Sequence, residues 1–356
     1  MDRVFRIDER LAAMAKPPIQ SASGILLGNA DCLIVCAGFE DRAVAFLREA
    51  TRRGFGFRVI VIDYLPAYAD NRLAEVLQLC EQAKTKVSRL TYDRKNPAGF
   101  GDTLRQAVGL NSQRIFLDVS GMSRLLIVQA LVAFCDSPQA WERCFIAYSE
   151  AQSYPPTQQE VEKAIKNCDS DPMFAALFLS SGVFDVTIVP ELSPASLGAN
   201  QSRVVVFPSF NTDQLTALRA ELQPSRLSFI HGVPPSAVNQ WRTDAIARLN
   251  RIDDVSSESH CRTSTFDYRE TLDCLLNLYS EFSIRERLLV SPTGSKMQTV
   301  AVGLFRAFVQ DVQIVYPTPR EFRSPKDYTT GVGALHILPL REFGSLAPSC
   351  AAPFHC

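Results

Sequence analysis

The sequence predicts an α/β protein of two tandem Rossmann-like lobes, each a mostly parallel sheet with helices on both faces, related by internal duplication. The first observation is that short, continuous apolar runs such as Cys32–Ala37 alternate with helical patterns. Strands of a parallel sheet are buried on both faces, so they show continuous apolar runs and not alternating polarity. The second observation is that the first half of the chain resembles the second half.

Six segments of the first half recur in the same order in the second half. Each pair combines an apolar run with similar flanking residues, such as Phe, Asp, Ser/Thr-Gly or Pro. The matched segments are Cys32–Ala37 with Val204–Pro208, Val59–Asp63 with Leu227–His231, Leu90–Asp93 with Ser264–Asp267, Ile115–Asp118 with Leu288–Ser291, Cys144–Tyr148 with Val312–Tyr316, and Val186–Pro190 with Leu335–Pro339. The sequence leaves open whether the last strand of each half pairs antiparallel.

The matched segments divide the chain into two predicted domains. The first lobe is expected at 1–198 and the second at 199–356, with a short C-terminal tail. The first lobe carries an insertion at about 151–182, which includes the helical pattern Gln158–Lys166. Leu192–Ser202 is rich in Pro, Ser, Gly and Asn, which is typical of a linker.

Composition and charge narrow the class of protein. The chain has 356 residues, of which 46% are hydrophobic and 21% charged, as in a soluble protein of two domains. A net charge of −1 argues against general nucleic-acid binding, which usually needs a basic face. No apolar run reaches the length that spans a bilayer, and the charged N-terminus does not resemble a signal peptide. A cytoplasmic protein without membrane contact is therefore expected.

The ten cysteines do not predict a metal site. No Cys-x-x-Cys pair occurs, and Cys32, Cys36, Cys135, Cys144 and Cys274 lie among apolar residues. The four histidines form no cluster in the sequence either. We therefore expect free, packed thiols, as in a reducing compartment, and no bound metal.

Candidate ligand-binding residues follow the predicted strands. Right-handed crossovers place all strand-to-helix loops at one edge of a parallel sheet, where ligands bind near a switch in strand order. The candidates in these loops are Gly38, Phe39, Glu40, Arg42, Ser120, Gly121, Ser123, Arg124, Ser209, Phe210, Asn211, Thr293, Gly294, Ser295 and Lys296.

The sharpest motif is the turn Ser291–Met297, which lies between an apolar run and a helical pattern. Gly294 allows a ligand to approach the backbone closely, and the amides at a helix start favour an anion such as phosphate. Thr293 and Ser295 offer hydroxyls, and Lys296 offers a positive charge. The alternative is that Thr293 or Ser295 only caps the helix while Lys296 points to solvent.

The corresponding turn of the first half, Asp118–Arg124, has the same layout with Arg124 as its cation. Asp118 would repel a phosphate unless a metal or a ribose hydroxyl meets it, so the second lobe is the better predicted anion site. Phe39 and Phe210 follow the first strand of each half. They either stack on a base or pack beneath their loops.

At Thr293-Gly294-Ser295-Lys296-Met297 the sequence resembles the CRISPR-associated Rossmann-fold (CARF) sensor domains, which carry a Thr-Gly-Gly-Thr-Lys-like turn after a late strand. The resemblance implies a second binding element in the loops after the first strands, here Gly38–Arg42 and Ser209–Thr212. It also implies cyclic oligoadenylate as ligand, bound across two such domains, and a separate effector protein as partner in a defence or stress pathway.

Three functions remain open from the sequence. The first is a sensor or regulator that binds a nucleotide-type ligand. The second is an enzyme acting on a phosphorylated small molecule (an isomerase, transferase or nucleotide hydrolase), and only this alternative includes Mg²⁺. The third is a protein-binding adaptor. Phosphate-loop, dinucleotide-turn and nucleophile-elbow motifs are absent from the sequence. Carboxylates available for acid/base or Mg²⁺ chemistry are Glu40, Asp63, Asp93, Asp118 and Glu150.

Overall fold

The computed structural model describes residues 6–54, 56–109, 112–134, 138–167, 180–194, 201–252, 258–322 and 329–346. The chain divides into two compact units. The first unit is Met1–Ser153 with Thr329–Cys356, and the second is Tyr154–Tyr328. This division differs from the expected one at residue 198, because the C-terminal segment belongs to the unit that contains the N-terminus.

The strands alternate with helices along most of the chain. In chain order the strands are β1 (Gln20–Ser21), β2 (Cys32–Cys36), β3 (Arg58–Leu65), β4 (Lys86–Asp93), β5 (Ile115–Asp118), β6 (Cys144–Ser149), β7 (Ser180–Thr187), β8 (Gln201–Val206), β9 (Arg226–Val233), β10 (Ser259–Ser264), β11 (Glu286–Ser291), β12 (Gln313–Ile314), β13 (Tyr316–Phe322) and β14 (Leu335–Pro339).

The helices are α1 (Ile7–Ala13), α2 (Ala45–Arg53), α3 (Leu73–Gln82), α4 (Phe100–Val108), α5 (Arg124–Ala133), α6 (Pro138–Arg143), α7 (Gln158–Asn167), α8 (Thr212–Leu222), α9 (Trp241–Leu249), α10 (Tyr268–Phe282), α11 (Lys296–Phe308) and α12 (Arg341–Gly344). Helix α7 confirms the helical pattern expected in the insertion. Within the described part of the chain, no helix is both long and apolar enough to cross a membrane.

The first unit contains a seven-stranded sheet in the order β1-β14-β6-β5-β2-β3-β4. Strands β2 to β6 pair in parallel, while β14 pairs antiparallel with β6 and β1 pairs antiparallel with β14. The central strand β2 is buried at every position, as its continuous apolar run predicts. The hydrophobic core of this unit joins residues of β2 with Phe46, Leu47 and Phe57.

The second unit contains a parallel five-stranded sheet in the order β10-β9-β8-β11-β12, and β13 and β7 form a separate antiparallel pair. Its core includes Val204, Val206, Phe229 and Leu289. The α/β fold class is therefore confirmed, with mostly parallel sheets flanked by helices.

Both units place their first five matched segments in the same strand order. The first strand (β2 or β8) lies between the second and the fourth, the third is at an edge, and the fifth lies beyond the fourth. A duplication predicts such an order, and the duplication itself stays a prediction.

The last matched segments are exchanged between the units. Strand β7 comes from the first half but lies in the second unit, and β14 comes from the second half but pairs with β6 of the first unit. Apolar patterning predicts that a strand is buried but does not specify its partner. Three strands also end before the segments predicted for them do. β10 ends at Ser264, β12 at Ile314 and β7 at Thr187, whereas the predicted segments ended at Asp267, Tyr316 and Pro190.

Candidate functional site

The candidate site in each unit lies where the strand order reverses. In the first unit this switch lies between β2 and β5, and in the second between β8 and β11. The loops that carry all fifteen candidate residues follow these four strands. Ligands of doubly wound sheets bind in the crevice outside the carboxyl ends of the strands at this point. The strand order therefore places the candidates in pairs of neighbouring loops, one pair in each unit.

The two loops of the first unit are in tight contact through glycine. A Cβ atom on Gly121 would lie 2.4 Å from the carbonyl oxygen of Cys36, and one on Gly38 would lie 3.2 Å from the carbonyl oxygen of Gly121. The Tyr64 hydroxyl donates to this same Gly121 carbonyl at 3.3 Å and accepts from the Ser123 amide at 2.5 Å. Gly121 is needed because the Cys36 carbonyl leaves no room for a Cβ, while a Cβ at Gly38 would make a tight contact.

Ser120 is held by hydrogen bonds inside the protein. It is fully buried, its amide donates to the Asp118 carboxylate at 2.9 Å, and its hydroxyl accepts from the Ser149 amide at 2.8 Å. These bonds join the turn after β5 to the end of β6. Ser120 thus shapes the loop from within, away from the surface that a ligand can reach.

Glu40 and Arg42 form an ion pair of 3.1 Å with side chains that are 14% and 8% exposed. Arg42 also donates to the Tyr148 hydroxyl at 3.3 Å, and Thr329 donates its hydroxyl to Glu40 at 2.5 Å. The charges of Glu40 and Arg42 therefore pair with each other within the loop. Phe39 is half-buried beside this pair.

Two residues of this region, His336 and Thr329, were not among the candidates predicted from the sequence. The His336 ring donates from Nε2 to the Glu150 carboxylate at 3.0 Å, and it stacks on Tyr148, its neighbour across β14 and β6. Thr329 joins the same region through Glu40. No local signal marks these residues, because they arrive with the C-terminal strand β14, whose partner the sequence does not specify.

In the second unit the turn after β11 is held by internal hydrogen bonds. The Thr293 hydroxyl is buried and donates to the Phe207 carbonyl at 2.7 Å. The Ser295 hydroxyl donates to the Thr265 carbonyl at 2.6 Å and accepts from the Gln298 amide at 3.1 Å. Both hydroxyl protons therefore go to protein carbonyls.

Ser295 caps α11 through a reciprocal capping box. While its hydroxyl accepts from the Gln298 amide, the Gln298 side chain accepts from the Ser295 amide at 2.9 Å. A Cβ on Gly294 would lie 2.5 Å from this Gln298 side chain and 3.0 Å from the Phe207 ring. The capping interpretation of Ser295 is confirmed, and Gly294 is needed for the close packing of the turn.

The two units have the same residue pattern at the start of α5, which follows β5, and at the start of α11, which follows β11. Ser123 caps α5 and Ser295 caps α11, and each is followed at the first helical position by a cation, Arg124 or Lys296. Both cations are half-buried. The amino end of a helix carries a partial positive charge, so a cation there is electrostatically unfavourable by about 0.3–1 kcal/mol.

The loop after β8 is mostly structural. Phe210 is buried and packs near Trp241, with ring centroids 6.1 Å apart, and the Arg242 guanidinium lies 4.7 Å above its ring. Asn211 caps α8 by accepting from the Asp213 amide, and Ser209 donates to the Gln214 side chain at 3.0 Å. Packing is thus the observed role of Phe210.

Among the residues that the structure describes, no three His, Cys, Asp or Glu side chains are grouped closely enough to hold a metal ion. Of the predicted carboxylates, Asp63 pairs with Arg89 at 3.3 Å and Asp93 accepts from the Lys95 amide at 2.9 Å. Both contacts are exposed; the first joins the neighbouring strands β3 and β4, and the second lies in the turn after β4.

No protein-family model and no curated protein matches the chain. Among solved structures it is similar to the cytoplasmic domain of a prokaryotic cation chloride cotransporter, at 10% identity and a TM-score of 0.25, over 90% of this chain and 99% of that one. A ketoreductase domain from the bacillaene assembly line is similar at 13% identity and a TM-score of 0.19, over 83% of this chain and 68% of that one. Likenesses this distant carry no argument about function.

Proposed function

We propose that the chain is a sensor or regulator that binds a nucleotide-type ligand through its phosphate groups at the switch points of its two sheets. One observation carries the proposal. The helix that follows β5 in the first unit and the helix that follows β11 in the second both begin with a capping serine and then a cation. Both helix starts lie at the edge where doubly wound sheets bind ligands.

The electrostatics of that helix start favour an anion. First-turn amides have no acceptor within their own helix, and each capping serine accepts from one of them, the Leu126 amide in α5 or the Gln298 amide in α11. The remaining amides, the helix dipole and the cation at the first helical position all attract negative charge. A bound phosphate turns the unfavourable position of Lys296 or Arg124 into a favourable one.

The second unit is the stronger site of the two. Asp118 lies at the start of the first unit's turn, where its carboxylate opposes an anion, while Ser291 occupies the corresponding position of the second unit. The resemblance to CARF domains adds cyclic oligoadenylates to the ligands worth testing, with an effector protein as the recipient of the signal.

A thermal-shift screen tests the ligand class. The panel comprises mononucleotides, dinucleotides, cyclic oligoadenylates and sugar phosphates, each with and without Mg²⁺. A ligand at 100 times its Kd stabilises the fold by about 2.7 kcal/mol, which gives a measurable rise in Tm. A nucleotide that raises the Tm of the wild type supports the proposal. A panel in which no nucleotide does so contradicts it.

A second candidate function is an enzyme acting on a phosphorylated small molecule in the first unit. The contact between His336 and Glu150 favours it, because an imidazole oriented by a carboxylate is an arrangement that general acid–base catalysis uses. Turnover of a nucleotide or sugar phosphate that is lost in His336→Asn supports this function. Unchanged turnover in that variant contradicts a proton-transfer role for His336.

A further inference from the structure

A pair of cysteines meets at the edge of the five-stranded sheet, on the side of β9 away from the switch between β8 and β11. Thr271 of α10 donates its hydroxyl to Thr263 of β10 at 2.9 Å, so this face of the helix packs on this face of the strand. Cys261 lies two residues before Thr263, on the same face of β10. Cys274 lies three residues after Thr271, on the same face of α10. The two thiols meet, with Cys274 donating a hydrogen bond to the Cys261 sulfur.

The two sulfurs differ in accessibility and in acidity. Cys261 is half-buried on an edge strand, while Cys274 is 7% exposed. The hydrogen bond from Cys274 lowers the pKa of Cys261. The same bond, together with burial, raises the pKa of Cys274. Cys261 is therefore both the more acidic and the more accessible of the two thiols.

The other described cysteines lack these properties. Cys32, Cys36, Cys80 and Cys144 are buried. Burial raises the pKa of Cys32 and Cys80, and it raises that of Cys144 to about 12. Reactive cysteines combine exposure with thiolate character. Within the described residues, this combination occurs at Cys261.

We propose that Cys261 and Cys274 are a peroxide-reactive thiol pair that converts to an intramolecular disulfide. The Cys261 thiolate attacks a hydroperoxide, the O–O bond breaks, and Cys261 becomes a sulfenic acid as an alkoxide or hydroxide leaves and takes a proton. Cys274 then attacks the sulfenic sulfur, the S–S bond forms, and the hydroxyl of the sulfenic acid leaves with the Cys274 proton as water. Two thiols lose two electrons in total, and the peroxide is reduced.

Tryptic mapping of the full chain tests the proposal directly. Trypsin cuts after Arg251, Arg262, Arg269 and Arg285, so Cys261 and Cys274 fall in separate peptides, 252–262 and 270–285, with one cysteine each. The protein is treated with stoichiometric hydrogen peroxide, quenched in acid with N-ethylmaleimide, digested and analysed by mass spectrometry. We expect the linked pair of peptides to appear before any other cysteine is oxidised, and dithiothreitol to reverse it.

Two further arms keep the outcome decisive. In Cys274→Ser the second step is blocked, so dimedone should label Cys261 as a sulfenic acid in peptide 252–262. In the untreated wild type, N-ethylmaleimide should modify Cys261 faster than the buried Cys32, Cys36, Cys80 and Cys144. Peptides that stay unlinked while other cysteines oxidise, or a Cys261 that first pairs with a cysteine other than Cys274, would overturn the proposal.

Discussion

The role of a single side chain at the site cannot be predicted from its residue type alone. Ser295 offers a hydroxyl at the start of α11, and a ligand contact and a helix cap require the same residue type. The structure shows the cap, and the hydroxyl proton goes to the Thr265 carbonyl. The sequence could place Ser295 at the helix start because a hydroxyl residue there follows local rules. It could not show the bond to Thr265, which lies thirty residues earlier in the loop after β10.

Ser295→Ala is expected to destabilise the second unit. The variant loses both the helix cap and the bond to Thr265, at about 1–2 kcal/mol in the free energy of unfolding. Urea denaturation of wild type and variant measures the loss. Ser123→Ala is the matched control, because Ser123 caps α5 through a longer 3.4 Å contact and should cost less. A Ser295→Ala protein as stable as wild type would show that the cap contributes nothing.

His231 makes stability depend on pH. Burial lowers its pKa to about 4, with His260 and Arg262 adding to the shift and Asp244 opposing it. The unfolded chain protonates this ring near its ordinary pKa of about 6.5, while the folded chain resists. Stability from this group is therefore complete above about pH 6.5 and is lost as the pH falls towards 4.

The expected loss at His231 is about 1–3 kcal/mol between pH 7 and pH 4.5, measured by urea unfolding. His231→Gln cannot take up this proton, so its stability should fall less over the same range. An identical pH dependence in wild type and His231→Gln would assign the effect to other groups.

Among the secondary-structure elements, apolar patterns in the sequence were sufficient to locate the central strands but not the edge strand β10. Continuous apolar runs identified β2, β3, β5 and β8 because a central strand is buried on both faces. Edge strand β10 alternates between half-buried and exposed positions up to Arg262 and is buried at Thr263, and its predicted position was displaced towards the following turn. Its apolar pattern is weak because one side of an edge strand faces water.

The contact between the loops after β2 and β5 depends on Gly121. Gly121→Ala would place a Cβ 2.4 Å from the carbonyl oxygen of Cys36, and β2 cannot move away without disturbing its pairing with β3 and β5. We expect a loss of about 1–3 kcal/mol in the free energy of unfolding. Gly28→Ala is the control, because the nearest atom to its Cβ is 4.0 Å away. Equal effects in chemical denaturation would contradict a close approach at Gly121.

At the scale of the whole molecule, the last strand of each half is exchanged. Strand β14 completes the sheet of the first unit, and β7 pairs with β13 in the second. The expected boundary at residue 198 followed the order of the apolar segments. Chain order and spatial partnership differ here, because long connections allow the final strands to join either sheet. The histidine beside Glu150 was missed for the same reason.

Fragment stability tests this arrangement. A fragment of residues 154–328 contains the five-stranded sheet together with β7 and β13, so it should unfold cooperatively. A fragment of residues 199–356 lacks β7 and carries β14 without its partner β6, so its urea transition should be broader and its Tm lower. Circular dichroism during denaturation measures both. A 199–356 fragment that is equally cooperative would contradict the assignment of β7 and β14.

A phosphate-bearing nucleotide is expected to bind at the helix starts marked by Lys296 and Arg124. Isothermal titration of the best nucleotide from the screen into wild type, Lys296→Ala, Arg124→Ala and the exposed control Lys163→Ala tests it most directly. A charge-assisted contact contributes about 1.5–3 kcal/mol, so Lys296→Ala should weaken Kd roughly tenfold to a hundredfold. Arg124→Ala should weaken it less, and Lys163→Ala should match wild type. A nucleotide that binds Lys296→Ala and Arg124→Ala as tightly as wild type would contradict the claim.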